Sequence, residues 1–404
     1  MPMMTSRERV VATLNHKEPD RVPIDVGGTE VTSIHGVAYN ALKQHMGLHD
    51  GATRLHHVYM QTATVEEPVR ARFHGDIVRI GFEPKAWKTS TLFDGSPCEV
   101  PEGWNPVRLD DGGEAVLGQD GQPLIVRHAQ SPWFSPTGPV FPFIRTIEDV
   151  AQYRHVIRFL DRSAWLDETL DDRVARARTV RETTDYALAG AFGGHIFAAA
   201  QLIRGMADFL CDLAADEAFA VALMDALADA HIEEFDAYIE ALGPYLDVVC
   251  IADDLGTQHG PQIDPDMWRR LVKPPTQRLY SHMKSKMGNA KLFLHSCGSV
   301  RAFIPDLIEM GVDILNPVQV SATGMDTQRL KADFGRDIVF WGGGCDTQTV
   351  LPQGTPEEVR QEVQRRIGDL APGGGFVFAA VHNIQPGVPP ENMETMWDEA
   401  CACG

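Results

Sequence analysis

The sequence predicts a (β/α)8 barrel carrying a β-rich insertion, and three observations predict it. Eight short apolar or β-branched runs recur along the 404 residues, at 22–26, 76–80, 185–190, 247–252, 291–295, 312–316, 338–342 and 375–380. Runs of this length and composition read as buried strands. Helical patterns lie between most of them, and strands that alternate with helices form a parallel sheet. Eight such units close into a barrel, with an open doubly wound sheet as the alternative. The rhythm breaks once, between about 82 and 145. One barrel with an insertion can use the whole chain, so residues 1–404 are expected to form a single domain with 82–145 inside it.

The helices announce their ends. Thr5 and Glu8 have the spacing of a capping box, and Asp264-Pro265 opens another helix. Thr355-Pro356-Glu357-Glu358 supplies an N-cap hydroxyl, a proline at the first position and Glu at the third. Val359, Val363, Ile367 and Leu370 then repeat on one face. Residues 82–145 instead hold Asp110-Asp111-Gly112-Gly113, Gln119-Asp120-Gly121-Gln122 and many prolines between alternating apolar residues. Asx-Gly pairs of this kind mark hairpin turns.

Composition excludes several classes. Apolar residues at 44% and charged residues at 23% belong to a globular chain rather than a disordered one. A net charge of −20 repels phosphate backbones, so no nucleic acid is expected as a partner. The first residues lack the apolar core of a secretion signal, and the run 186–203 is too interrupted to span a membrane. Seven unclustered cysteines fit a reducing compartment, so a cytoplasmic protein with no membrane partner is expected.

Active groups in a parallel barrel lie just past the C-terminal strand ends. That rim collects Asp253 and Asp254, His295 and Cys297, Asn316 and Gln319, Cys345 and Asp346, and His382. His295-x-Cys297 is the sharpest signal. In an extended segment both side chains share a face. Imidazole and thiolate are preferred donors for Zn²⁺, and a third ligand is required, with Cys345 and His382 as candidates. Three protein ligands would leave a fourth position open, as in catalytic sites. Asp253 or Asp254 would orient a ligand or act as general acid or base. Asn316, Gln319 and Asp346 would bind substrate. The glycines 342–344 before Cys345 would let backbone approach a ligand, but match no nucleotide-binding pattern. His45, His49, His56 and His57 are expected to be solvated in a polar helical region. Cys401-x-Cys403 lies at an end expected to fray.

These residues resemble the uroporphyrinogen decarboxylase superfamily, and most of all its zinc methyltransferase branch, which includes the methylcobamide:coenzyme M methyltransferases. The resemblance rests on DDLGTQHGPQIDPDMW, LFLHSCGSVRAFIPDLIEMGVDILNPVQ, FGRDIVFWGGGCDTQ and VHNIQPGVPPENMETM. HKEPDRVPIDVGGTEVTSIH and GHIFAAAQLIRGMADFLCDL add to it less specifically. The branch pairs H-x-C with a later Cys ahead of a P-x-E-N helix start. Here His382 holds the place of that Cys, a departure that still leaves a zinc donor. The resemblance implies a Zn²⁺-dependent methyltransferase acting between a corrinoid, methylcobalamin, and a small thiol or methylated O, N or S compound. No corrinoid-binding motif is present, so the corrinoid is expected on a separate protein or free. A homodimer is left open. The decarboxylase reading expects an Arg-rich segment after the first strand and an Asp after the second, and neither is present. The remaining alternative is a barrel that binds a small molecule without turnover.

Overall fold

The computed structural model describes residues 3–118, 121–157 and 165–403. Seven of the predicted strands form one parallel sheet, in chain order Ile77–Ile80, Ala187–Gly193, Val248–Ala252, Lys291–His295, Ile314–Asn316, Val339–Trp341 and Phe376–Val377. Each pairs with the next in sequence. The eighth predicted strand, 22–26, is reduced to a single bridge of Ile24 with Phe378. It still joins the sheet's two edges. Asp25 N donates to Phe378 O (2.8 Å) and Phe378 N to Pro23 O (2.9 Å), while Asp76 N donates to Ile24 O (2.8 Å). The barrel is therefore closed, and the open-sheet alternative fails.

Alternation sorts the side chains into two cores. Ile77, Ala189, Val248, Phe293, Ile314 and Trp341 fill the barrel interior, and Val10 and Leu14 of the Ser6–Leu14 helix close it from below. The larger core lies between sheet and helices. The expected caps are present: Thr5 and Glu8 form a reciprocal capping box, as do Thr355 and Glu358, and Asp264 accepts from Asp266 and Met267. Val359, Val363, Ile367 and Leu370 are all buried on the Pro356–Leu370 helix.

Residues 82–145 contain a two-stranded antiparallel sheet, Trp87–Thr91 with Pro97–Pro101. They also contain a four-stranded one built from Val107–Arg108, Glu114–Leu117, Pro123–Arg127 and Ser135–Pro136. Leu109 N bonds Gly113 O across the Asp110–Gly113 turn (3.0 Å). Gln119 and Asp120 of the second expected turn lie outside the described residues. Trp104 and Phe134 of this segment meet Tyr59 and Trp165 outside it through edge-on ring contacts at 4.8–5.8 Å.

Candidate metal centre

The Lys291–His295 strand delivers His295 to the barrel mouth, and two residues later the chain presents Cys297. The loop holding Cys297 is fixed from three sides. Asp253 N donates to His295 O (2.9 Å), Ser296 N to Asn316 O (2.8 Å), and Ser299 N to Thr257 O (2.8 Å). Gly298 sits at φ +84, and a Cβ there would lie 2.6 Å from the carbonyl carbon of Gly256. The H-S-C-G loop and the 253–257 loop thus touch backbone to backbone, which only glycine allows.

His295, Cys297 and His382 come together, with one donor atom from each lying within 4.8 Å of the others. Cys297 Sγ is 3.2 Å from His295 Nε2, and the two imidazole rings are 5.0 Å apart. Asn316 sets the state of His295. Its Nδ2 donates to Trp341 O (2.9 Å), which turns Oδ1 toward His295 Nδ1 at 2.6 Å. Nδ1 therefore carries the proton, and Nε2 offers a lone pair to the cluster. Burial holds the His295 imidazole below its ordinary pKa, so it is neutral near pH 7. Burial also pushes His382 down to about 3 and the Cys297 thiol upward. His382 is at φ +69, a strained value for a non-glycine residue, and its Nδ1 accepts from Asn383 N (2.7 Å). His295 and Cys297 are thus the pre-set pair, and His382 is the third donor. Two imidazoles and one thiol at this spacing fit Zn²⁺.

Cys345 is elsewhere. It pairs with Ala380 as a bridge, is wholly buried, and packs in the layer between sheet and helices. The glycines before it serve packing, since a Cβ on Gly342 would lie 2.3 Å from Pro317 O. Of the two third-ligand candidates, only His382 reaches the cluster.

The other rim residues separate by task. Asp254 is half exposed. Its Oδ1 accepts from Cys297 N (2.7 Å) and lies 3.9 Å from His295 Nε2. Asp253 does not face the mouth, contrary to expectation. Its carboxylate is buried and accepts from the amides of Ile196, Phe197 and Ala198 at 2.7–3.2 Å, anchoring the start of the Phe197–Arg204 helix. Asp253→Ala should therefore cost about 3 kcal/mol in a urea titration, the scale of a lost charged hydrogen bond, with metal content unchanged. Asn316, Gln319 and Asp346 were expected on substrate, yet their polar atoms hold protein. Gln319 accepts from Gly298 N (2.8 Å) and donates to Gln258 (2.7 Å). Asp346 accepts from Gln348 N (3.1 Å) and Thr349 within its own turn.

Some residues at this end carried no strong signal in the sequence. Arg79, on the second strand, pairs with Glu30 (2.6 Å) and Glu83, and His56 lies 3.3 Å from Glu30. Inward alternation within the apolar run 76–80 is the only cue to Arg79. His56 is buried and ends up on the Leu55–His57 strand rather than on a solvated helix. His45 ends the Gly36–His45 helix beside Glu394 (2.9 Å). Cys401 and Cys403 sit at the close of the Pro390–Ala402 helix as free thiols.

Fold and site together define a (β/α)8-barrel protein with a His-Cys-His donor set at its mouth. A family model described as uroporphyrinogen decarboxylase (URO-D) matches residues 133–402. The chain belongs to the uroporphyrinogen decarboxylase family. It is 25% identical over 221 residues to the methylcobamide:CoM methyltransferase MtaA of Methanosarcina barkeri, covering 54% of this chain and 60% of that protein. It is 46% identical over 44 residues to a uroporphyrinogen decarboxylase of Alkalilimnicola ehrlichii, 11% of this chain and 12% of that one. The chain thus spans less than two thirds of either curated relative. A methyltransferase structure from Methanosarcina mazei superposes with a TM-score of 0.60 at 18% identity over 99% of both chains, which is a likeness of fold. Among the described residues, no helix is long and apolar enough to cross a membrane.

Proposed function

We propose that the protein is a zinc-dependent methyltransferase that moves a methyl group between a corrinoid and a small thiol or methylated O, N or S compound. The corrinoid would arrive on a separate protein or as free methylcobalamin. The observation that carries this reading is the His295–Cys297–His382 cluster, with the Nε2 lone pair of His295 already turned toward it. The 25% identity to a corrinoid methyltransferase supports it.

His295, Cys297 and His382 would hold the ion. Zinc bound there supplies Lewis acidity, which favours an ionised thiol or polarises a methylated heteroatom. Asp254 would handle the proton. Its Oδ1 is held by the Cys297 amide, and its side chain is half exposed beside the cluster. Oδ2 would take the proton that a substrate thiol gives up. Gln319 would keep the Cys297 loop in place while substrate enters. Asp253 would secure the neighbouring helix, and Asp346 would shape the adjoining turn.

A porphyrinogen decarboxylase needs cations free to meet substrate carboxylates. At the end of the second strand, Arg79 is matched by Glu30 and Glu83, and Arg176 by Glu168 (2.9 Å). That pairing favours the methyltransferase reading. The test mixes zinc-loaded protein with methylcobalamin and a panel of thiols, followed by visible spectroscopy. A second arm offers methylated O, N and S compounds to reduced cobalamin. Protein-dependent demethylation or methylation is expected in one arm. No spectral change in either would reject the methyltransferase.

A further inference from the structure

At the end of the barrel opposite the mouth lies a recess of about 450 Å³, within the size range of small-molecule sites. Its lining is divided by chemistry. Arg7, Lys284 and Lys291 line it together with one carboxylate, Asp247, while Val11 and Leu246 supply apolar wall. Asp247 is already committed, to Arg7 at 2.9 Å and Arg181 at 2.6 Å. Lys284 pairs with Asp313 at 2.5 Å. Lys291 makes no ion pair among the described residues.

The position of Lys291 follows from strand alternation. Lys291, Phe293 and His295 share one face of their strand, and Phe293 lies in the barrel interior. Lys291 therefore points inward at the barrel floor, half-buried beside the helix that closes it. The molecule carries a net charge of −20 and repels anions at a distance. That field is screened beyond roughly 8 Å at physiological salt, so inside the recess the unpaired ammonium of Lys291 sets the local sign.

We propose that this recess is a second binding site, for a small organic anion with one carboxylate and a short apolar chain. The carboxylate meets the ammonium of Lys291, and the chain lies against Val11 and Leu246. Four residues of strand, about 13 Å, separate Lys291 from His295, so this site is distinct from the metal centre and independent of the methyltransferase reading.

Calorimetric titration of the full chain with hexanoate, acetate and inorganic phosphate tests it. Hexanoate is expected to saturate with a Kd below about 1 mM. It should bind at least ~10-fold more tightly than acetate or phosphate, because its methylenes are buried. Lys291→Met removes the cation at nearly constant volume, and Val11→Asp places a negative charge at the exposed rim. Each should weaken hexanoate by ~10-fold or more. His295→Ala should leave it unchanged. The proposal is overturned if no probe saturates, if hexanoate binds no better than acetate, if both recess variants bind like wild type, or if His295→Ala abolishes binding.

Discussion

Replacing either His295 or Cys297 with alanine should lower zinc affinity by more than about 100-fold, beyond the 10–100-fold typical of residues that merely support a ligand. The two form the rigid half of the donor set, with Sγ and Nε2 3.2 Å apart on a loop fixed by neighbouring backbone. His382 alone cannot replace them, since its ring is shared with the Asn383 amide. Metal content by elemental analysis, with circular dichroism to verify the fold, reads this directly. Cys345→Ala is the companion variant. It should keep the metal and lose about 1 kcal/mol of stability, because Cys345 packs in the layer beneath the helices. Retained zinc in His295→Ala and Cys297→Ala, or its loss in Cys345→Ala, would reject the ligand set.

The second large effect is expected at Asn316, which is wholly buried. Asn316→Ala removes the acceptor that keeps the proton on His295 Nδ1 and leaves the Trp341 carbonyl without its donor. Zinc affinity should fall about 10–100-fold, the range for a residue that orients a metal-binding histidine. Stability should fall by about 1–3 kcal/mol, the cost of a buried unsatisfied polar group. Asn316→Asp separates the two. Its carboxylate still accepts from Nδ1, so metal affinity should return. It cannot donate to Trp341, so stability should not. Chelator competition and denaturant titration measure the two quantities independently. Wild-type zinc affinity in Asn316→Ala would show that His295 needs no such support.

Residues expected at the mouth diverged because rim position does not say where a polar atom points. Asp253 and Asp254 are neighbours in sequence. One turns under the Phe197–Arg204 helix to take three amides, and the other stands half exposed beside Cys297. Cys345 and His382 both follow strands. The bridge to Ala380 turns Cys345 into the outer packing layer, while the positive φ of His382 brings its ring to His295.

The sequence by itself determined the barrel, because strand and helix periods are local properties of residue order. It also determined the helix caps at Thr5, Asp264 and Thr355, and the H-x-C pair, since two residues of extended chain place both side chains on one face. Only the tertiary structure decided which distant donor completes that pair, which carboxylate stays free, and that Asn316 serves His295. Those outcomes depend on how loops from different strands meet, on distances of a few ångströms between residues 20 to 90 positions apart. Local pattern carries no record of such distances.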